Sequence, residues 1–183
     1  MNFYVLTLFL HIIGALGLFI GMGMEVIILK QLRDAKTNEQ AFEGGGLMKK
    51  LRTVFLSSTI LLLLSGIYLV ETSWGWTAWV ILGLTLMVVL SVFGSVSGKK
   101  VGMTIAALGK PDEFISEEAR KKLSNPVILK SLIVRTALSL GIIFMMTLKP
   151  DWMGGIITIV VTLILGYLVG LPSAGKIKEL ESA

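Results

Sequence analysis

With 54% hydrophobic residues over 183 positions and a mean hydropathy of +0.83, the chain lies outside the range of soluble domains. Its net charge of +5 would point to nucleic acid in a soluble protein, but here the basic residues flank apolar stretches, so the expected partner is a lipid bilayer and not nucleic acid. The absence of cysteine excludes disulfides, thiol catalysis and Cys-built zinc or iron–sulfur sites, and a single histidine excludes a His-rich metal cluster within one chain.

Apolar stretches near or above the roughly 18–20 residues needed to cross a bilayer recur along the chain. They leave room for one integral membrane domain over residues 1–183 and none for a soluble catalytic domain, so an enzyme is not expected. The first span is read from about Phe3 to Leu29; it has no Lys or Arg ahead of the apolar run and exceeds a signal h-region, which reads as an uncleaved helix. The second runs from about Val54 to Val70 and the third from about Trp76 to Val96. The fourth covers about Ile128 to Leu148, opened by Ser124-Asn125-Pro126 and stopped by Lys149-Pro150. The fifth covers about Gly155 to Leu171, with Leu171-Pro172 expected to end it.

The fold class is thus all-α: a polytopic transmembrane bundle of five spans, with loops at residues 30–53 and 97–127. Lys30, Arg33, Lys36, Lys49, Lys50 and Arg52 surround the first connection. Lys99, Lys100, Lys110, Arg120, Lys121, Lys122, Lys130 and Arg135 surround the third, and Lys176 and Lys178 follow the fifth span. A five-span arrangement puts all of these on one side and leaves Lys149 alone of the 17 basic residues on the other. The positive-inside rule then places the N-terminus outside and the C-terminus in the cytoplasm, in a bacterial-type inner membrane. Trp74, Trp76, Trp79 and Trp152 read as an interfacial belt at the outer ends of the spans.

The two basic loops carry helix signals. Thr37-Asn38-Glu39-Gln40 matches a capping box, expected to open a short turn ending at Gly44-Gly45-Gly46. Ser116-Glu117-Glu118 through Arg120-Lys121-Lys122 puts acids in a first turn and bases in a last, as a helix dipole favours.

Three ionisable residues fall inside spans, where each needs a paired, watery or buried location: His11, Glu25 and Arg135. His11, Gly14, Leu18, Gly21 and Glu25 follow steps of three and four and line one stripe of the first helix. His11 and Glu25 come within about 40° of each other around the helix but stand about 21 Å apart along it. They share a face and cannot touch. Gly14, Gly17 and Gly21 thin that face, so that either a neighbouring helix or a flat ligand can come close.

Glu25 lies five residues before Lys30, and Arg135 five after Lys130, which puts both about 7 Å inside the basic boundary. Opposite charges at matched depth point to an intramembrane ion pair, with Ser131 and Ser139 on the arginine's stripe as further hydrogen-bonding groups. Snorkelling to the interface and an acid on a proton or cation route are the competing readings. For His11 there are three: a hydrogen bond to a Ser, Thr or Tyr of another helix, ligation of haem iron or another metal, and a protonation switch. A second axial ligand would come from a symmetric dimer or from Met145 or Met146. Thr158, Thr162, Gly166 and Gly170 form a small-residue stripe on the fifth span, suited to packing on another helix, to a homodimer or to a partner membrane subunit.

Leu10-His11-x-x-Gly14 followed by Gly17 and Gly21, within residues 9–25, resembles small bacterial membrane proteins grouped with the copper-resistance membrane domain and the haem-binding membrane protoporphyrinogen oxidase. That resemblance implies a helical bundle with haem b on His11, and Gly14 and Gly21 beside it. The oxidase-like proteins use a lysine in a later span, which Trp76 to Val96 lacks, and copper proteins cluster more His or Met than Met22 and Met24. The resemblance therefore implies cofactor binding without the oxidase chemistry. Two other function classes stand beside it: an ion or small-solute permease working through Glu25 and Arg135, and a non-catalytic accessory subunit.

Overall fold

The computed structural model describes residues 3–181, with side chains described for residues 3–170. The described residues are mostly helical, in the order α1 (Phe3–Asp34), α2 (Asn38–Leu69), a π-helical turn (Val70–Trp74), α3 (Ala78–Ala106), α4 (Glu117–Leu123), α5 (Pro126–Leu148) and α6 (Trp152–Glu181). Among the described residues, five segments are long and apolar enough to cross a membrane: Phe3–Asp34, Asn38–Trp74, Ala78–Ala106, Glu117–Leu148 and Trp152–Gly170. Large hydrophobic side chains such as Leu16, Ile20, Leu64, Val92, Phe144 and Val169 are exposed along them, as lipid-facing positions require.

Local chemistry sets several ends where the sequence places them. Thr37 caps α2 by accepting from the Gln40 amide, while the Gln40 side chain accepts from the Lys36 amide at 2.8 Å. Ser116 caps α4 through the Ala119 amide, and Asn125 caps α5 through the Val127 amide with Pro126 following. Lys149 closes α5 in the left-handed conformation, ahead of Pro150. On α4 the Lys122 ammonium bonds the exposed Glu118 carboxylate at 2.7 Å, one helical turn away.

Other ends differ. The turn expected to stop at Gly44-Gly45-Gly46 is continuous with the second span as one 32-residue helix. These glycines give up helix propensity but gain approach: a Cβ on Gly44 would meet Leu32 at 2.7 Å, and one on Gly45 would meet Ile105 at 3.1 Å. Pro172 lies inside α6 and does not end it, since its φ suits a helix and the loss is local. Lys176 and Lys178 belong to the segment whose side chains lie outside the described residues.

Two antiparallel hairpins, α1–α2 and α5–α6, make the most extensive helix pairings, and α3 packs mainly on α5. The small stripe of α6 is the seam of the second hairpin. A Cβ on Gly166 would meet Ala137 at 2.8 Å, and one on Gly141 would meet Thr162 at 2.9 Å, so α5 already occupies this face. Between the hairpins, α1 and α5 meet over a short stretch.

One apolar cluster gathers Ile28, Leu29, Leu32, Ala41, Leu51, Val101, Ile105, Leu123 and Leu132 near the basic loops; another gathers Val70, Trp79, Val80, Leu86, Leu138 and Met145 at the opposite end. Above the first cluster the α1–α2 connection and the α3–α4 loop clasp each other. The Ile115 amide donates to Lys36 O and the Asn38 amide to Glu113 O, each at 3.0 Å. The Glu39 amide reaches Pro111 O at 2.9 Å, and the buried Asn38 side chain donates to Lys110 O.

Candidate functional site

The α1 stripe read from the sequence is the buried face of that helix: His11, Gly14, Gly21 and Glu25 all face inward. Its glycines are covered by α2. A Cβ on Gly14 would stand 2.9 Å from Leu62 and one on Gly21 3.0 Å from Phe55, while Gly17 abuts Ser58. The thinned face therefore serves close helix packing.

At the end remote from the basic loops, His11 sits 7% exposed in a recess built by three elements. Its Nδ1 lies 3.1 Å from Ser65 Oγ on α2, and its ring meets Trp74 of the π-turn edge-on with centroids 5.8 Å apart. The next residue along α2 is Gly66, where a Cβ would crowd the imidazole at 3.1 Å. The Ser65 hydroxyl is turned to the Leu61 and Leu62 carbonyls of its own helix, so its proton is committed there. Ser65 Oγ is then the acceptor and His11 Nδ1–H the donor, which leaves Nε2 as a bare acceptor. Among the described residues this buried Nε2 has no hydrogen-bond partner.

Toward the basic end, Arg135 reaches from α5 to α1, and its Nη2 donates to Glu25 Oε1 at 2.6 Å. Both side chains are buried. The pair joins the two hairpins where Met22 meets Thr136 and Leu132 enters the α1 cluster. Burying both charges is costly, and one hydrogen bond offsets it only in part. Glu25 Oε2 and Arg135 Nε have no partner among the described residues. Ser139 does not help the guanidinium, because its hydroxyl donates to the Arg135 carbonyl at 2.9 Å, as serines in spans commonly do.

The remaining expectations sort by packing. Met145 is fully buried in the cluster with Trp79 and Leu138, with Met146 at its edge. Of the four tryptophans, Trp76 and Trp152 are exposed as belt residues, whereas Trp79 is buried and Trp74 lies between it and His11. Two indoles thus turned inward because an imidazole edge and a neighbouring ring give them better contact than the interface does. Trp76 donates to Glu71 across the π-turn, and Gly75 closes that turn with φ 70°. No group of three or more His, Asp or Glu able to hold a metal ion occurs among the described residues.

Neither Ser65 nor Gly66 stands out in the sequence, and Trp74 reads there as a belt residue and not as a neighbour of His11. A serine on the second span was one of several equivalent hydroxyls, and a π-turn leaves no periodic trace. No protein-family model, curated protein or solved structure matches the chain.

Proposed function

We propose that this chain is a non-catalytic protein of a bacterial-type inner membrane that holds a small ligand at His11, with haem b the first candidate. The carrying observation is the histidine's hydrogen bonding: Nδ1–H is engaged by Ser65 while the buried Nε2 is left as a bare acceptor. A ring held by a hydrogen-bond acceptor at one nitrogen and free at the other is the arrangement of a ligating histidine. When bound, haem would supply an iron for Nε2 to ligate; this chain's contribution is to fix the imidazole's tautomer and orientation and to exclude water.

The fit with haem is good at the nitrogen and poor at the glycines. Gly14 and Gly21 face α2, so a macrocycle would not lie along them. It would reach Nε2 after a local displacement, and the π-turn bearing Trp74 is the element placed to move, since π-turns recur at functional positions. The permease reading has less support, because Glu25 and Arg135 neutralise each other in a buried contact. The orientation with the N-terminus outside rests on the basic residues, which lie at the loops that clasp each other at one end.

Protein purified from haem-replete cells is expected to show a Soret band that is lost in His11→Ala and altered in Ser65→Ala. Colourless wild-type protein, monodisperse and folded, overturns the haem assignment and leaves an accessory role, to be read from a partner co-extracted in mild detergent.

A further inference from the structure

Between α1 and α2, next to their connection at the basic end, lies a cleft of about 530 Å³, within the size range of sites for small ligands. Ile27, Lys30 and Asp34 line it from α1, and Gln40, Glu43 and Leu47 from α2, each set spaced by three or four residues along one helix face. Gln40 is held in place at the outer lip, because its side-chain oxygen accepts from the Lys36 amide at 2.8 Å.

The order of these residues along the helices carries the chemistry. Three pairs, His11 with Ser65, Gly21 with Phe55 and Leu32 with Gly44, share one antiparallel register of α1 and α2. That register brings Leu47 level with Leu29 and Glu43 level with Arg33. From the spans outward, the lining therefore runs apolar at Ile27 and Leu47, basic at Lys30, and acidic at Glu43 and Asp34. On helical rise the two carboxylates stand about 4.5 and 6 Å beyond the lysine. Lys30 and Asp34 have the spacing of a helix ion pair, yet among the described residues neither they nor Glu43 make one. All three charged side chains are exposed, and so are the apolar ones, Ile27 at 59% and Leu47 at 41%. Unpaired charges of both signs in this order call for a ligand with the inverse order.

An aminophospholipid has it: acyl chains, then an anionic phosphate, then a primary ammonium at the end of an ethylene link. We infer that the cleft binds one phosphatidylethanolamine from the leaflet at the basic end. Its phosphate meets Lys30, its ammonium donates to the Asp34 and Glu43 carboxylates, and a chain runs beside Ile27 and Leu47. The charge order also selects the headgroup. Phosphatidylglycerol has hydroxyls where the ammonium would sit and leaves the carboxylates without a cation, while the quaternary ammonium of phosphatidylcholine has no N–H to donate. The site lies at the other end of α1 from His11 and does not depend on a ligand there.

Native mass spectrometry of the full chain tests it, with an equimolar mixture of phosphatidylethanolamine, phosphatidylglycerol and phosphatidylcholine of matched chains. One phosphatidylethanolamine retained per chain, about fivefold over phosphatidylcholine, is the expected result. Asp34→Asn/Glu43→Gln should abolish that preference with unchanged thermal stability, since both side chains are exposed. Lys30→Gln should weaken retention of both zwitterionic lipids and keep their ratio. Millimolar phosphoethanolamine, which lacks the chains, should not displace the lipid. Equal retention of phosphatidylethanolamine and phosphatidylcholine, or a preference for phosphatidylglycerol, overturns the proposal. So does an undiminished preference in the carboxylate variant, retention unchanged by Lys30→Gln, or displacement by phosphoethanolamine.

Discussion

The two polar contacts of α1 differ in what they join. His11 bonds Ser65, its antiparallel neighbour in the same hairpin, where Gly14, Gly17 and Gly66 already bring the helices together. Glu25 bonds Arg135, which lies 110 residues away on the other hairpin, where α1 and α5 touch only briefly. The first contact is neutral and lies over an interface that packing alone would hold. The second is charged and spans a junction with little packing to spare. Polar groups in spans therefore carry different weight according to what surrounds them: the ion pair sets how the hairpins meet, whereas the histidine bond orients a ring.

The largest expected effect breaks the ion pair on one side. Arg135→Leu leaves Glu25 buried without its partner and should cost about 3–5 kcal/mol in denaturant unfolding from bicelles. The double variant Glu25→Leu/Arg135→Leu should return to within about 1 kcal/mol of the parent, since an apolar pair can replace a buried ionic one. A double variant no more stable than the single one would show that the two charges do not act together. At the other end the effects should shrink. Gly66→Val crowds the imidazole and should cost about 1–3 kcal/mol, by overpacking. Ser65→Ala removes one hydrogen bond and should cost about 0.6–1.5 kcal/mol. If Ser65→Ala proved as costly as Arg135→Leu in the same bicelles, the contrast between the two ends would fail.

Much of this arrangement is legible in local pattern. Steps of three and four mark the α1 stripe, and Thr37, Ser116, Asn125 and Lys149-Pro150 mark helix ends through chemistry within one turn. Equal spacing from Lys30 and Lys130 puts Glu25 and Arg135 at one depth, and the helices bring them within 2.6 Å. What the sequence does not carry is the identity of the facing helix. Gly14 and Gly21 read equally as room for a flat ligand or for α2, and only the tertiary register brings Leu62 and Phe55 there. The triple glycine reads as a breaker because its cost is local, while its compensation comes from Leu32 and Ile105 elsewhere in the chain. Trp79 reads as an interfacial residue until Trp74 gives it an interior partner.

The clasp between the α1–α2 connection and the α3–α4 loop bears on how the chain enters its membrane. Its hydrogen bonds, Ile115 to Lys36 and Asn38 to Glu113, form only when both connections emerge on the same face. Two spans, α2 and α3, separate them in the chain. A nascent chain in which one of those spans failed to cross would strand the connections on opposite faces, leaving Asn38 and its neighbours without their partners. The clasp thus ties the return of α2 and α3 to one end of the bundle, because its backbone donors and acceptors come from connections on either side of that helix pair.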